Sequence, residues 1–472
     1  MLLGQAMMDM LPDLALVEIF DYYKADITET RKAGIGWPWS QWWKTLIQVC
    51  RRWRGIIVSS PRRLDLQVIC TNNTPTRTLL DIWPLFPIRV LCQPPQMVDE
   101  KGVENIIAAV ERRDRTSNIL INQINGHAFE KLSAAMNKSF PILTELYLIL
   151  MNDDSAPVLP ETFLGGSAPR LRSFVLNGIG FPSFPKFILS STLIYQLAID
   201  YIPMTGYISP NEMVNCIAAL PNLKYLFFGF RSPLSRPLQT SRPHFTRRVL
   251  PALTHLRFSG VSEYFEDFIA RIDTPRLYSL SMAFFMDLIF DIPRLRDFVY
   301  RTECPKSPRQ ASICFSGQAI RAILGSKDQF ELEVKCEGPD WQLSSMTQVF
   351  GQQLPLLSCV EQLMIHEWPS RDIEWKDDPE MDSSQWLELF HLFISARSLY
   401  VSKRLVPHVG AALLELSGGE VMQVLPVLVN LYLEGHEPFR PMQEGIMSFV
   451  TSRQLSDQPV TVRRWDRTRK NS

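Results

Sequence analysis

His366 and Glu367 are the residues whose types most suggest chemistry, because a histidine beside a carboxylate is a common acid–base combination. They follow a predicted strand, and nothing near them in the sequence supplies a nucleophile. The chain has no Gly-x-Ser-x-Gly, His-Glu-x-x-His or Cys-x-x-Cys pattern, and no glycine-rich phosphate loop. Cys50 lies on the apolar face of a predicted helix, where a thiol packs as a small hydrophobic group. The sequence therefore predicts no catalytic residue, no cofactor and no metal site.

The first stretch with a clear organisation runs from Leu11 to Arg54. Pro12 and Asp13 suit the first turn of a helix, because proline lacks an N–H that would have no partner there and aspartate complements the helix dipole. Apolar residues then recur at the three-and-four spacing of one helical face. They are Leu16, Ile19, Phe20 and Tyr23 in the first half, and Trp42, Trp43, Leu46, Val49, Cys50, Trp53, Ile56 and Ile57 in the second. We expect a small helical module with a large apolar surface.

These two halves resemble an F-box, the module that docks a chain onto the small helical adaptor of a cullin–RING ubiquitin ligase. The resemblance rests on Leu11-Pro12, Ile19-Phe20 and the Val-Cys-Arg-x-Trp of residues 49–53, in that order. It implies that eight side chains contact the adaptor: Leu11, Pro12, Ile19, Phe20, Leu46, Val49, Cys50 and Trp53. The linker 24–41 between the halves is longer than in a typical F-box. The alternative is that both helices are simply part of a hydrophobic core.

The residues that follow extend the resemblance. Ser60-Pro61-Arg62-Arg63-Leu64-Asp65-Leu66 and Asp81-Ile82-Trp83-Pro84 look like a group of F-box proteins common in mushroom-forming fungi. In that group the extended linker is ordinary, and the likeness would cover most of the chain.

Length and composition restrict the remaining possibilities. At 472 residues the chain exceeds the roughly 100–200 residues of one domain, so several domains or an elongated array are expected. Forty-nine basic residues balance forty-nine acidic ones, which favours neither nucleic acid nor a membrane as partner. Eight scattered cysteines, no secretory leader and no long apolar run predict reduced thiols in a cytoplasmic or nuclear protein.

A recurring Leu-x-x-Leu-x-Leu unit, typical of leucine-rich repeats, occupies much of the remaining sequence. Its nine copies begin at Leu143, Leu171, Ile194, Leu223, Leu253, Leu277, Val360, Ala396 and Leu428. Alternate residues of each strand are expected to point into the core, and those between them to face outward. The repeats therefore predict an irregular α/β solenoid, or horseshoe, over residues 63–450. The alternative fold is a doubly wound sheet of unrelated strand–helix units.

The outward positions supply the candidate residues for binding a target protein. Those selected for their side chains are Tyr147, Phe227, Arg257, Tyr400 and Tyr432. Two loops interrupt the repeats, a basic one at 231–248 and an acidic one at 372–382. The expected domains are the F-box at 1–62, the repeats, and a C-terminal strand with a polar tail at 451–472.

The combination of modules predicts the function. By resemblance, this is the substrate-recognition subunit of a cullin–RING (SCF-type) ubiquitin ligase, which has no catalytic residues of its own and acts by raising the effective concentration of a target. Its partners would be the ligase adaptor, through the F-box, and an unknown target, through the repeats. One alternative is an interaction scaffold unconnected with a ligase. The other is an enzyme with an unrecognised site.

Overall fold

The computed structural model describes residues 11–32, 42–59, 66–92, 98–151, 156–232, 246–285, 292–302, 304, 307–325, 329–336, 338–351, 356–368, 383–416, 418–435 and 444–466. Most of the basic loop, the whole acidic loop and the polar tail from 467 lie outside these ranges, as do linker residues 33–41. The chain divides into two compact units, Met1–Ile194 (unit 1) and Tyr195–Ser472 (unit 2).

Unit 1 contains three N-terminal helices followed by strand–helix repeats. Its helices are α1 (Asp13–Lys32), α2 (Trp42–Ile47), α3 (Arg51–Ser59), α4 (Thr76–Ile82), α5 (Glu100–Val110), α6 (Gly126–Ala135) and α7 (Phe184–Ile188). Its strands are β1 (Leu66–Ile69), β2 (Ile88–Cys92), β3 (Thr116–Ile124), β4 (Glu145–Leu150) and β5 (Ser173–Asn177). The strands lie side by side in chain order, and all their pairings are parallel.

Unit 2 continues the same construction. Its helices are α8 (Pro210–Ala218), α9 (Ser262–Ile269), α10 (Pro293–Thr302), α11 (Pro339–Gly351), α12 (Ser383–His391), α13 (Val406–Leu414) and α14 (Glu444–Leu455). Its strands are β6 (Gln196–Ile202), β7 (Tyr225–Phe230), β8 (Arg248–Val249), β9 (His255–Gly260), β10 (Ile272–Asp273), β11 (Ser279–Phe284), β12 (Gln310–Phe315), β13 (Ala319–Leu324), β14 (Phe330–Lys335), β15 (Gln362–Glu367), β16 (Ser398–Val401), β17 (Asn430–Glu434) and β18 (Thr461–Trp465). The main sheet has the order β6-β7-β9-β11-β14-β13-β12-β15-β16-β17-β18, while β8 and β10 pair separately.

The repeat pattern accounts for this architecture. Every one of the nine Leu-x-x-Leu-x-Leu copies contains a strand, and its three apolar positions are at most 6% exposed. Along strands such as β4 and β15, buried residues alternate with partly exposed ones. One face of the sheet therefore packs on the core, and the other reaches solvent. A doubly wound sheet would be covered on both faces. The leucine-rich-repeat fold is therefore confirmed, and the doubly wound alternative is wrong.

One segment departs from the repeats. Strands β12, β13 and β14 pair antiparallel, whereas the rest of the main sheet in unit 2 is parallel where its pairings are described. A tight turn joins the first two, where the Ser316 hydroxyl donates to the Ala319 carbonyl at 2.7 Å and accepts from the Ala319 N–H at 3.0 Å. Burial alternates along β13 and β14, as a hairpin with one solvent-facing side requires. In the sequence this segment is only a gap between recognisable repeats.

The C-terminal residues join the array. Strand β18 pairs in parallel with β17, with Tyr432 beside Arg463, so the predicted last strand extends the sheet of unit 2. Helix α14 spans the domain boundary expected at 450/451. None of the helices in the described part of the chain is long and apolar enough to cross a membrane.

Candidate functional site

Helices α1–α3 form an N-terminal cluster that is held together at the start of α1. The Arg52 guanidinium on α3 donates to the Asp13 carboxylate, at 2.7 Å from Nη2 and 3.1 Å from Nε, and to the Leu11 carbonyl. Further along α1, the ring of Phe20 contacts the indole of Trp53 edge-on, with centroids 4.9 Å apart. The contacts between the two predicted halves fix α1 against α3.

The eight predicted docking residues divide by exposure. Phe20 and Leu46 are buried, at 3% and 7% exposed, and belong to the core of the cluster with Leu16 and Ile57. Leu11, Cys50 and Trp53 are half-buried. Pro12 is exposed, Ile19 is 43% exposed and Val49 is 56% exposed. Among the eight residues, Pro12, Ile19 and Val49 are therefore the exposed ones, whereas Phe20 and Leu46 are part of the core of the cluster.

Two further exposed apolar residues lie on α1 and were not predicted. Leu14 and Tyr22 on α1 are each 80% exposed, and Tyr22 lies one helical turn beyond Ile19. The spacing of the sequence did not select them, because they fall outside the apolar stripe that packs against α2 and α3. Large exposed apolar side chains grouped on one element are typical of an interaction surface.

The N-terminal cluster packs against the first repeats of unit 1. Trp43 on α2 is 5% exposed, and its ring meets that of Trp83, just after α4, at a centroid distance of 5.8 Å. An edge-to-face pair of buried indoles is a specific and stabilising contact. This contact ties the α2–α3 half of the cluster to the residues that follow β1.

The outward side chains of the strands form a second surface in each unit, which we call the strand face. In unit 1, Tyr147 lies on β4 between Leu120 and Val175 of the neighbouring strands. It is half-buried, and its hydroxyl accepts a hydrogen bond from Ser173 Oγ at 2.8 Å. The predicted position of Tyr147 is thus on the outward face, with its ring partly available.

In unit 2, Phe227 and Arg257 are direct neighbours on β7 and β9. Phe227 is half-buried and Arg257 is exposed. Beside them, the rings of Tyr225 and His255 lie 4.6 Å apart. These side chains place an aromatic surface next to a cation, a composition that is enriched in protein interfaces.

The hairpin adds a charged group to the strand face of unit 2. Arg321 Nη2 lies 2.6 Å from Glu333 Oε2, and Arg321 Nε lies 3.2 Å from Glu331 Oε1. Ser281 Oγ donates to the Glu331 carboxylate at 3.1 Å, and the Arg321 guanidinium lies over the ring of Trp368. This group was not predicted from the sequence, because Arg321, Glu331 and Glu333 belong to the hairpin, which lies between the recognisable repeats. The alternation of charged and apolar residues in β14 was the available signal.

Tyr400 and Tyr432 occupy neighbouring positions on β16 and β17 and stack with centroids 4.3 Å apart and planes inclined by 5°. Trp465 meets Tyr400 edge-on at 5.6 Å. Tyr400 is consequently only 8% exposed, while Tyr432 remains half-buried. Each tyrosine lies on a strand that the repeat pattern predicted. A partner would reach Tyr432 more readily than Tyr400, because Tyr432 is the more exposed of the two.

His366 and Glu367 do not act together. His366 Nε2 lies 2.9 Å from Ser312 Oγ, and its Nδ1 lies 3.2 Å from the carbonyl oxygen of Glu367. The Glu367 carboxylate instead accepts from Ser402 Oγ at 3.0 Å, with Arg404 Nη1 3.6 Å away. Adjacent strand residues point to opposite faces, which separates the two side chains. The described residues include no group of three potential metal ligands.

Comparison with known proteins adds little to this description. No family model matches the chain, and no curated protein matches it. Among solved structures, it is similar to the leucine-rich repeat-containing protein LegL7 from Legionella pneumophila, at 10% sequence identity and a TM-score of 0.27. That match covers 84% of this chain and 99% of LegL7. At this level of similarity it supports no argument about function. The strand geometry and burial pattern show an α/β fold built from leucine-rich-repeat-like units.

Proposed function

We propose that this protein is the substrate-recognition subunit of a cullin–RING ubiquitin ligase of the SCF type. Helices α1–α3 would be its F-box and would dock on the ligase adaptor, while the strand face would bind a target protein. Catalysis would reside in other subunits, and this chain would act by holding the target near the ubiquitin-loaded enzyme.

The observation on which the proposal chiefly rests is the exposed apolar edge of the N-terminal cluster. Ile19 on α1 and Val49 in the turn between α2 and α3, two positions of the F-box resemblance, are both exposed. Leu14 and Tyr22 enlarge the same kind of surface on α1. Each such side chain that became fully buried against a partner would contribute about 1.5–3 kcal/mol to the free energy of binding.

The strand face supports the second half of the proposal. It combines aromatic rings, an exposed arginine and a charged group on strands whose opposite sides are fully packed. Tyrosine and arginine are prominent among residues that dominate binding energy. A rigid sheet also binds at a lower entropic cost than flexible loops would. The candidate target-binding residues are therefore Tyr147, Phe227, Arg257 and Tyr432, with Tyr400 supporting Tyr432.

The adaptor half of the proposal is tested by mixing the purified full chain with a purified cullin-ligase adaptor and measuring complex formation by gel filtration. We expect an equimolar complex. Replacing Ile19 and Val49 together by glutamate would place two charges in the apolar contact and should abolish it. Leu189→Glu is the matched control, because Leu189 is 56% exposed in the same unit but lies beyond α7.

A scaffold without ligase function would bind a target equally well, and a different measurement separates the two. In cells, the half-life of a bound target should lengthen when Ile19→Glu and Val49→Glu are introduced together. An unchanged half-life with a lost adaptor complex would favour the scaffold. Within the described residues, the contact between Ser312 and His366 favours the enzyme alternative, since a hydroxyl beside an imidazole can serve as a nucleophile–base pair.

A further inference from the structure

A pocket of about 390 Å³ lies in unit 2, away from the strand face, between helix α10 and the residue that precedes β8. Its walls are formed by Arg247, Ala270, Arg294, Asp297 and Arg301. The last three are spaced by three and four residues along α10, so they share one face of that helix. Arg247 immediately precedes β8, and Ala270 immediately follows α9. Three of the five wall residues are thus arginines, contributed by two separate segments of the chain.

Two of these arginines are positioned by carboxylates that are not part of the walls. Arg294 Nη1 lies 2.7 Å from Asp267 Oδ1 on α9, and Arg301 Nε lies 3.5 Å from Asp273 Oδ1 on β10. Asp297 is the carboxylate that belongs to the walls, and its Oδ1 lies 3.6 Å from Nε of the neighbouring Arg296. A guanidinium has five N–H donors in a planar fork, so a carboxylate at Nε of Arg301 leaves its terminal nitrogens available to a ligand.

The local charge balance leaves an excess of positive charge at the pocket. The charged residues in and around it are Arg247, Arg271, Arg294, Arg296 and Arg301, against Glu266, Asp267, Asp273 and Asp297. The Glu266 carboxylate is occupied at the start of α10, where it accepts the N–H groups of Arg294 and Leu295 at 2.9 and 2.7 Å. Arg247 is exposed and has no acidic partner in the described part of the chain. The excess charge therefore lies in the wall itself.

We propose that this pocket binds a small soluble anion of the phosphate class. A phosphate or diphosphate presents several acceptor oxygens in a tetrahedral arrangement, which suits guanidinium groups approaching from two sides better than the two coplanar oxygens of a carboxylate do. The volume lies in the lower part of the roughly 300–1,000 Å³ range of small-molecule sites. This site is independent of the adaptor and target surfaces, and nothing in the proposed ligase function requires it.

The test is isothermal titration of the full chain with pyrophosphate at constant ionic strength. The pocket variant is Arg247→Ala, and the matched control is Arg248→Ala, which removes the same charge from the adjacent exposed residue outside the wall. We expect saturable binding that is weakened at least about tenfold by Arg247→Ala, as the loss of a charge-assisted hydrogen bond implies, and unchanged by Arg248→Ala. Succinate should bind much more weakly than pyrophosphate.

Three outcomes of the titration would overturn the proposal. The first is the absence of saturable binding by the folded wild-type chain. The second is an equal loss in both variants, which would indicate a general electrostatic effect. The third is binding of succinate as tightly as pyrophosphate, which would rule out the phosphate class. A lipid headgroup is distinguished from a free phosphate by vesicles containing phosphatidic acid: retention on them that pyrophosphate cannot compete away would contradict a soluble ligand.

Discussion

Phe20 on α1 and Trp53 on α3 lie edge to face, with ring centroids 4.9 Å apart, and so join the two halves of the N-terminal cluster. Because Phe20 is 3% exposed, its ring is already buried inside this chain before any partner binds. The F-box resemblance assigns both rings to adaptor contact. The structure gives Phe20 a part in holding the helices together.

A pair of substitutions on α1 separates these two roles. Phe20→Ala should lower the free energy of unfolding of the cluster by about 3–5 kcal/mol, because it removes a buried aromatic side chain. Ile19→Ala should cost well under half as much, since Ile19 is 43% exposed. Chemical denaturation followed by tryptophan fluorescence measures both. Equal losses in the two variants would mean that the rings do not form the core described above.

The stacked tyrosines of unit 2 allow a similar comparison on the strand face. Tyr400→Ala should destabilise the fold by about 3 kcal/mol, because Tyr400 is 8% exposed and contacts both Tyr432 and Trp465. Arg257→Ala should change stability by no more than about 0.5 kcal/mol, because Arg257 is exposed. Thermal or urea unfolding of the two variants tests this order. A Tyr400 variant as stable as the wild type would contradict it.

The cysteines should differ strongly in reactivity. Burial raises the pKa of Cys70 and Cys304 to about 12 and that of Cys92, Cys216 and Cys336 to about 11, while Cys359 is exposed. Since the thiolate is the nucleophile, iodoacetamide at pH 8 should modify Cys359 and leave these five buried thiols unmodified. Peptide mass spectrometry measures the modification at each site. Rapid labelling of Cys70 in the folded chain would contradict the packing around β1.

The same raised pKa values predict sensitivity to alkali. A thiol whose pKa is higher in the folded than in the unfolded chain stabilises the fold fully below its ordinary pKa of 9.0, and that contribution is lost as the pH rises towards the folded value. Stability should therefore fall between about pH 9 and pH 12. Urea midpoints across this range measure the effect, with Cys92→Ala as a variant in which the fall should be smaller. A constant midpoint would show that these thiols are not buried as described.

Ser312 should be unreactive if its contact with His366 is only structural. A fluorophosphonate probe labels serine nucleophiles that an adjacent base activates. We expect the probe to label neither the wild-type chain nor the Ser312→Ala variant. Labelling that disappears in Ser312→Ala and in His366→Ala would instead favour the enzyme alternative.

The repeats were predictable because each Leu-x-x-Leu-x-Leu copy repeats one physical requirement, the burial of three apolar side chains on one side of a strand. Leu143, Leu146 and Leu148 illustrate it, and each is 0% exposed. The hairpin around Arg321 was not predictable by the same rule, because its alternating pattern fits any half-buried strand and does not specify an antiparallel neighbour. The exposed apolar residues of the N-terminal cluster were predicted only in part. Helical spacing identified the stripe containing Phe20 and Leu46 but could not show that the chain itself covers it, nor that Leu14 and Tyr22 stay exposed.

Gel filtration of the full chain with the purified adaptor would test whether helices α1–α3 dock on a cullin-ligase adaptor. We predict an equimolar complex that is lost when Ile19 and Val49 are both replaced by glutamate and kept when Leu189 alone is replaced by glutamate. No complex with a folded wild-type chain would contradict the claim, as would an equal loss in the Leu189 control.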